Sequence, residues 1–148
     1  MIILPADMDA LIRSEGERAY PYECCGLILG PLPGPSGGGP GDVRRAARLV
    51  PLENAREGEK RRRRFHIDPL DFLRAEREAV SAGLEILGVY HSHPDHPARP
   101  SDHDLRQALP FYSYVIVAVE KGRARELTSW RLSADRATFG EEGVEIPG

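Results

Sequence analysis

The chain has 148 residues, of which 41% are apolar and 29% charged, and its net charge is -3 at pH 7. This composition is typical of a folded globular protein, and we expect one domain spanning residues 1–148. The slightly acidic balance gives no general reason to expect nucleic-acid binding, and no apolar run is long enough to cross a membrane.

The first elements predicted are two strands with a helix between them. Residues 1–4 are typical of a short strand and lack a signal-peptide pattern, residues 5–18 have apolar positions at helical spacing, and residues 23–30 predict a buried strand. The only cysteines, Cys24 and Cys25, are neighbours in this strand and cannot link distant segments. We therefore expect a cytoplasmic protein.

A segment rich in Gly and Pro, residues 31–42, follows this strand. It offers few side chains that could pack, and we expect a mobile surface loop within the domain. Strands are predicted next at 43–52 and 63–67. Asp68 and Pro69 then follow, and they are residue types typical of the N-cap and N1 positions at which a helix begins. This helix is predicted to end near Ala82 and to offer four apolar side chains to the core: Leu70, Phe72, Leu73 and Val80.

The rest of the chain predicts three strands and one short helix. The strands are expected at 85–91, 112–120 and 126–132, and the helix at 101–109. Strands that alternate with helices indicate a layered α/β fold, and the hairpin between the last two strands makes its sheet mixed. Trp130, Tyr112 and Tyr114 are expected to be strand and core residues.

Two histidines at i and i+2, His91 and His93, close the strand predicted at 85–91. Side chains at this spacing leave the same face of a strand, so both imidazoles should point the same way. Asp104 follows after a Pro-rich loop and can return a carboxylate to them. Two imidazoles and one carboxylate are the protein ligands of an open zinc site, whose fourth position is left to water. The pattern therefore indicates a zinc hydrolase.

Ser101 and Asp104 admit two interpretations. Three residues apart on a helix, they lie on one face, so Asp104 can bind the metal while Ser101 donates to the oxyanion of an attacked carbonyl. The same spacing is that of a capping box with Ser101 as the N-cap. Beside the two histidines, the pattern favours the metal site.

Glu23 begins an otherwise apolar strand, where a carboxylate is costly to bury without a function. Hydrolysis requires a group that moves protons, and Glu23 is the candidate for this role. The alternative is that Glu23 only marks the solvent-exposed end of the strand.

Taken together, these residues resemble the JAMM (MPN-plus) zinc metalloproteases. The matching residues, with seven positions between the second histidine and the serine, are Glu23, His91, His93, Pro94, Ser101 and Asp104. Segments 23–30, 65–69 and 88–94 look like the short prokaryotic branch of this family. The resemblance implies a cytidine-deaminase-like fold, with a central mixed β-sheet flanked by helices.

The resemblance also implies roles for the site residues. His91, His93 and Asp104 would bind zinc, Glu23 would move a proton from the attacking water to the leaving amine, and Ser101 would steady the tetrahedral intermediate. The implied activity is that of an isopeptidase or peptidase acting at the C-terminal tail of a ubiquitin-like protein, which in bacteria is often a sulfur carrier. The alternative is a module that binds such a protein without turnover, but an intact Glu23 argues against it.

Three further histidines and an Arg-rich run remain. His96 and His103 flank the candidate site and are expected to face solvent, whereas His66 is expected to be partly buried and structural. The run at 60–64 suggests either an acidic protein partner or nucleic acid, and the net charge of -3 weakens the second choice. Since 18 of the 20 basic residues are Arg, codon bias explains the run equally well.

Overall fold

The computed structural model describes residues 1–33, 42–135 and 137–148. Within these ranges the strands are β1 Ile2–Ile3, β2 Cys25–Gly30, β3 Arg44–Arg45, β4 Arg48–Leu52, β5 Glu85–Pro94, β6 Ser113–Glu120, β7 Arg123–Leu132, β8 Phe139–Glu142 and β9 Val144–Glu145. The helices are α1 Ala6–Ala19, α2 Pro69–Ser81 and α3 Asp102–Gln107, with a 3-10 helix at Gly58–Arg62. The loop predicted at 31–42 falls largely on residues 34–41, which lie outside the described residues.

A six-stranded sheet in the order β4-β2-β5-β6-β7-β8 forms the centre of the fold. Its β5 and β6 are parallel, whereas its other neighbouring strands are antiparallel. Parallel neighbours require a crossover connection, and here the connection contains α3. A smaller parallel sheet, β3-β1-β9, lies beside the large one. The predicted mixed sheet flanked by helices is therefore confirmed.

Helices α1 and α2 contribute to two separate cores. Neighbouring residues of a strand face opposite sides, so β2 places Ile28 with Ile12 of α1 and places Leu27 with Ala75 and Ala79 of α2. Helix α1 also lies close to the sheet, because a Cβ atom added at Gly16 would come within 2.9 Å of Val119. No helix in the described ranges is long and apolar enough to span a membrane.

Helix α2 begins where it was predicted to begin but buries different residues. Asp68 is its N-cap, with Oδ1 accepting a hydrogen bond from the Leu70 backbone N–H at 2.8 Å. Of the four apolar side chains expected in the core, only Phe72 packs against it; the other three, Leu70, Leu73 and Val80, are 62%, 40% and 75% exposed. Ala75 and Ala79 are buried instead, since small side chains let the helix approach the sheet closely.

The strand predicted at 43–52 is two strands that belong to different sheets. Residues 44–45 pair with β1 in the small sheet, and residues 48–52 pair with β2 in the large one. The side chain of Arg44 holds the first of these strands in place, because its buried guanidinium donates to the Leu87 carbonyl at 2.9 Å and pairs with the Asp42 carboxylate.

The prediction of a strand at 63–67 is wrong, because that segment is neither helix nor strand. Its backbone bonds to the side chain of Asn54: Nδ2 donates to the Arg64 carbonyl at 3.0 Å, and Oδ1 accepts from the His66 N–H at 3.1 Å. A side chain thus replaces much of the backbone ladder that a partner strand would provide.

Candidate metal centre

Strand β5 delivers both histidines from the middle of the large sheet. It runs to Pro94, three residues beyond its predicted end, with β2 on one side and β6 on the other. The Nε2 atoms of His91 and His93 lie 3.1 Å apart, and both side chains are buried. The expectation that the two imidazoles share a face is therefore confirmed. A central strand with a partner on each side gives them a rigid base.

Asp104 joins the histidines from the first turn of α3. Its Oδ2 lies 3.3 Å from His91 Nε2 and 3.2 Å from His93 Nε2. The same oxygen accepts from the Ser101 N–H at 2.9 Å, while Ser101 Oγ accepts from the Asp104 N–H at 3.0 Å. The structure thus contains the capping box, and the capping carboxylate also faces the two imidazoles. The two interpretations of this pair are compatible.

The three facing atoms fit a zinc ion. The Nδ1–H of His93 donates to the Pro97 carbonyl at 2.8 Å, which leaves the lone pair on Nε2. With bonds of about 2.0–2.1 Å, a tetrahedral zinc site places its ligand atoms roughly 3.3 Å apart. The observed separations are 3.1, 3.2 and 3.3 Å.

The electrostatics of Asp104 favour a bound cation. Burial alone raises the pKa of this carboxyl, but the charge and hydrogen bond of His91 act against it, together with hydrogen bonds from His93 and the Ser101 N–H. These interactions outweigh burial and hold the pKa of Asp104 far below its usual range. The carboxylate therefore stays anionic.

Glu23 lies just before β2, not within it as predicted, since the strand begins at Cys25. Its backbone is held on both sides: its N–H donates to the Arg61 carbonyl at 2.6 Å, and its carbonyl accepts from Asn54 Nδ2 at 3.1 Å. The next N–H, that of Cys24, donates to Ser92 Oγ on β5 at 2.8 Å. These bonds fix Glu23 beside the strand that carries the histidines.

The side chain of Glu23 is 2% exposed, so it does not mark a solvent-exposed strand end. Its Oε1 has no hydrogen-bond partner among the described residues. Burial, followed by the negative charge of Asp104, raises the pKa of Glu23 to about 9. A buried carboxyl group without a partner is costly. Its position beside the histidines fits a group that exchanges protons with a molecule bound in the site.

Two contacts near the histidines were missed from the sequence. Phe65 stacks on the His91 ring at 4.5 Å between ring centroids, although the sequence marked it only as part of a family-like segment. Asn54 joins the backbones of Glu23 and Arg64, and nothing in its sequence context distinguishes it from an ordinary turn residue. Both residues support the site from the segment between β4 and α2.

The three remaining histidines differ from expectation. His96, expected to face solvent, is partly buried and stacks on His93 with ring centroids 4.2 Å apart. His103 is also partly buried, and its Nε2 lies 3.3 Å from Arg56 Nη2. His66, expected to be partly buried, is exposed. Residues 65 and 67 turn inward on either side of it, which directs its side chain outward.

Two cavities adjoin the centre and differ in character. An apolar cavity of about 220 Å³ lies beside His91 and Asp104 and includes Phe65, Phe72, Val89, Leu109, Tyr112 and Tyr114 in its lining. A polar cleft of about 490 Å³ lies on the Glu23 side and includes Glu15, Arg18, Tyr22, Glu53 and Arg61. The candidate metal centre therefore lies between an apolar and a charged surface.

Two curated proteins are similar to part of this chain. A probable TtuB-protein conjugate cleaving protease of Thermus thermophilus is 36% identical over 81 residues, which are 55% of this chain and 53% of that protein. A desampylase of Pyrococcus furiosus is 36% identical over 69 residues, 47% of each chain. The chain thus spans about half the length of these curated relatives.

Solved structures share the fold over nearly the whole chain. A solution structure of a protein from Desulfitobacterium hafniense, 31% identical, matches with a TM-score of 0.81 and covers 99% of this chain and 93% of that one. A JAB1/MPN domain protein from Archaeoglobus fulgidus, 21% identical, covers 100% of both chains with a TM-score of 0.59. A family model described as prokaryotic homologs of the JAB domain matches residues 5–133. Because this match includes well over half of the sequence, the chain belongs to the prokaryotic JAB-domain family.

Proposed function

We propose that the chain is a zinc-dependent peptidase or isopeptidase that cleaves at the C-terminal tail of a ubiquitin-like or sulfur-carrier protein. One observation carries the proposal: three ligand atoms within 3.3 Å of one another lie near the buried carboxyl group of Glu23, whose Oε1 has no hydrogen-bond partner among the described residues. The names of the two relatives, a conjugate cleaving protease and a desampylase, support this class of substrate.

The proposed roles follow from the atoms available. His91, His93 and Asp104 would hold zinc, which supplies a Lewis acid that makes water nucleophilic near neutral pH. Glu23 takes the proton that the attacking water loses and delivers it to the leaving nitrogen. Burial raises the pKa of Glu23 in the metal-free chain, and the positive charge of a bound zinc ion would lower it, so the carboxylate could both accept this proton and return it.

Ser101 is placed to assist at the carbonyl oxygen. Its Oγ accepts from the Asp104 N–H at 3.0 Å, which fixes the hydroxyl and leaves its own hydrogen free to donate. A donor held beside the metal ligands can stabilise the oxyanion that develops on the attacked carbonyl.

The expectations of a single domain over residues 1–148 and of a cytoplasmic location stay predictions. Cys24 and Cys25 are buried free thiols, as suits a reducing compartment.

Cleavage of defined fusions tests the proposed function. Zinc-loaded protein is incubated with the ubiquitin-like proteins of its own organism, each extended by a C-terminal peptide, and the products are measured by mass spectrometry. We expect release of the peptide at the end of the tail, and no release by Glu23→Gln with matched zinc content. Binding without cleavage would support the non-catalytic alternative. If no fusion is either bound or cleaved, the proposed substrate class is contradicted.

A further inference from the structure

We propose that Glu23 and His96 form a second divalent-cation site, next to the zinc ligands, through which excess zinc inhibits hydrolysis. The inhibition rests on the proposed function, because it requires Glu23 to be the proton carrier. The site itself rests only on the positions of the two side chains.

The ligand atoms of Glu23, His93 and His96 all lie within 4.8 Å of one another. This group shares His93 with the group formed by His91, His93 and Asp104. His93 has one lone pair to offer, on Nε2, because its Nδ1–H donates to Pro97. An ion in the first site uses that lone pair. A second ion is then left with the Glu23 carboxylate and the His96 imidazole as its protein ligands.

His96 has a nitrogen lone pair that can bind a cation. Its Nδ1–H donates to the Pro94 carbonyl at 2.9 Å, so its lone pair is on Nε2. Stacking on His93, with the ring planes 24° apart, holds the imidazole beside the first site. A groove that includes Arg63 and Ser101 leads from His96 to solvent. The groove carries charges of both signs, Arg63 and Asp95, so the small number of protein ligands is what limits the second site to a weaker affinity.

Glu23 supplies a carboxylate ligand to this second ion when its buried carboxyl group releases its proton to solvent. Its Oε1 is buried and has no partner among the described residues, so it can bind a cation without first losing a hydrogen bond. Carboxylate oxygen and imidazole nitrogen are both ordinary zinc ligands. An ion bound to Glu23 prevents the carboxylate from accepting a proton. Activity should therefore rise with the first equivalent of zinc and fall when zinc is in excess.

Zinc titration of the metal-stripped chain tests the inference. Calorimetry and metal analysis after dialysis give the stoichiometry, cobalt(II) absorption reports the coordination, and peptide release is measured in parallel. We expect one tight and one weaker equivalent, with the second at least about tenfold weaker because it has fewer protein ligands. Loss of activity should follow occupancy of the weaker site.

Two matched variants assign the second site. His96→Phe keeps an aromatic ring against His93 but removes both nitrogen atoms, so it should retain the first equivalent and lose the second. The zinc concentration that inhibits this variant should rise at least about tenfold. His103→Phe is the control, because His103 is adjacent to Asp104 in sequence but belongs to neither ligand group, and it should bind two equivalents.

Glu23→Gln provides a second test that does not depend on turnover, since it should bind one equivalent where the wild type binds two. A wild type that binds one equivalent, or two equivalents retained by both His96→Phe and Glu23→Gln, would overturn the second site. Absence of cleavage at one bound equivalent would contradict the proposed function instead, and the stoichiometry would still decide whether the second site exists.

Discussion

Replacing Glu23 with Gln separates its chemical role from its structural one. Gln has the same number of heavy atoms as Glu but carries no titrating proton. With zinc content matched, we expect activity to fall about 10²–10⁴-fold, the usual contribution of general acid–base catalysis. The retained zinc content would show that the ligands are intact.

The same substitution should stabilise the metal-free protein in a manner that depends on pH. The unfolded chain releases the Glu23 proton near pH 4.5, whereas the folded chain holds it to about pH 9. The part of the wild-type stability that depends on the Glu23 proton is therefore fully present below pH 4.5 and is lost as the pH rises through this window. At about 1.4 kcal/mol per pH unit, the loss between pH 4.5 and pH 7 is about 3 kcal/mol.

Urea unfolding in the presence of a chelator measures this difference. We expect the free energy of unfolding of Glu23→Gln, minus that of wild type, to increase by about 3 kcal/mol from pH 4.5 to pH 7. Glu53→Gln is the control, because this carboxylate lines the same cleft but is exposed, and neither its stability nor its activity should change. A difference that does not grow with pH would refute the burial argument. Full activity of zinc-matched Glu23→Gln would refute the proton-carrier role.

Three further substitutions test other parts of the site. Asp104→Asn keeps an oxygen that can accept from the Ser101 N–H but removes the charge, so zinc affinity should fall about 100-fold by calorimetry. The metal-free melting temperature should also fall, because the folded chain stabilises this carboxylate; retention of zinc would contradict the ligand assignment. Phe65→Ala removes the ring that stacks on His91 and should lower zinc affinity about tenfold by calorimetry; unchanged affinity would limit Phe65 to packing. Replacing Arg61–Arg64 with Ser should raise KM for a ubiquitin-like protein substrate more than it lowers kcat, and the loss of kcat/KM should be smaller at high salt. A short tail peptide should be affected little; equal effects on both substrates would favour codon bias.

The sequence by itself determined the features that depend on local geometry. The period of two along a strand placed His91 and His93 on one face, and their Nε2 atoms lie 3.1 Å apart. The spacing of Ser101 and Asp104 allowed a capping box as the alternative to a metal site, and Asp68 was predicted as an N-cap; both caps are present. Such features involve residues within a few positions of one another, so backbone geometry and hydrogen-bonding chemistry are enough to predict them.

The tertiary structure alone decided which distant groups meet. Glu23 reaches the histidines because β2 pairs with β5 and because Asn54 holds its backbone, and neither contact has a local signal. His96 lies against His93 through the path of the loop after β5, although isolated polar side chains are expected in solvent. Helix α2 buries Ala75 while Leu70 stays exposed, since closeness of approach to the sheet, not hydrophobicity, selects the inward face. These outcomes depend on which surfaces pack together, and the residues involved are far apart along the chain.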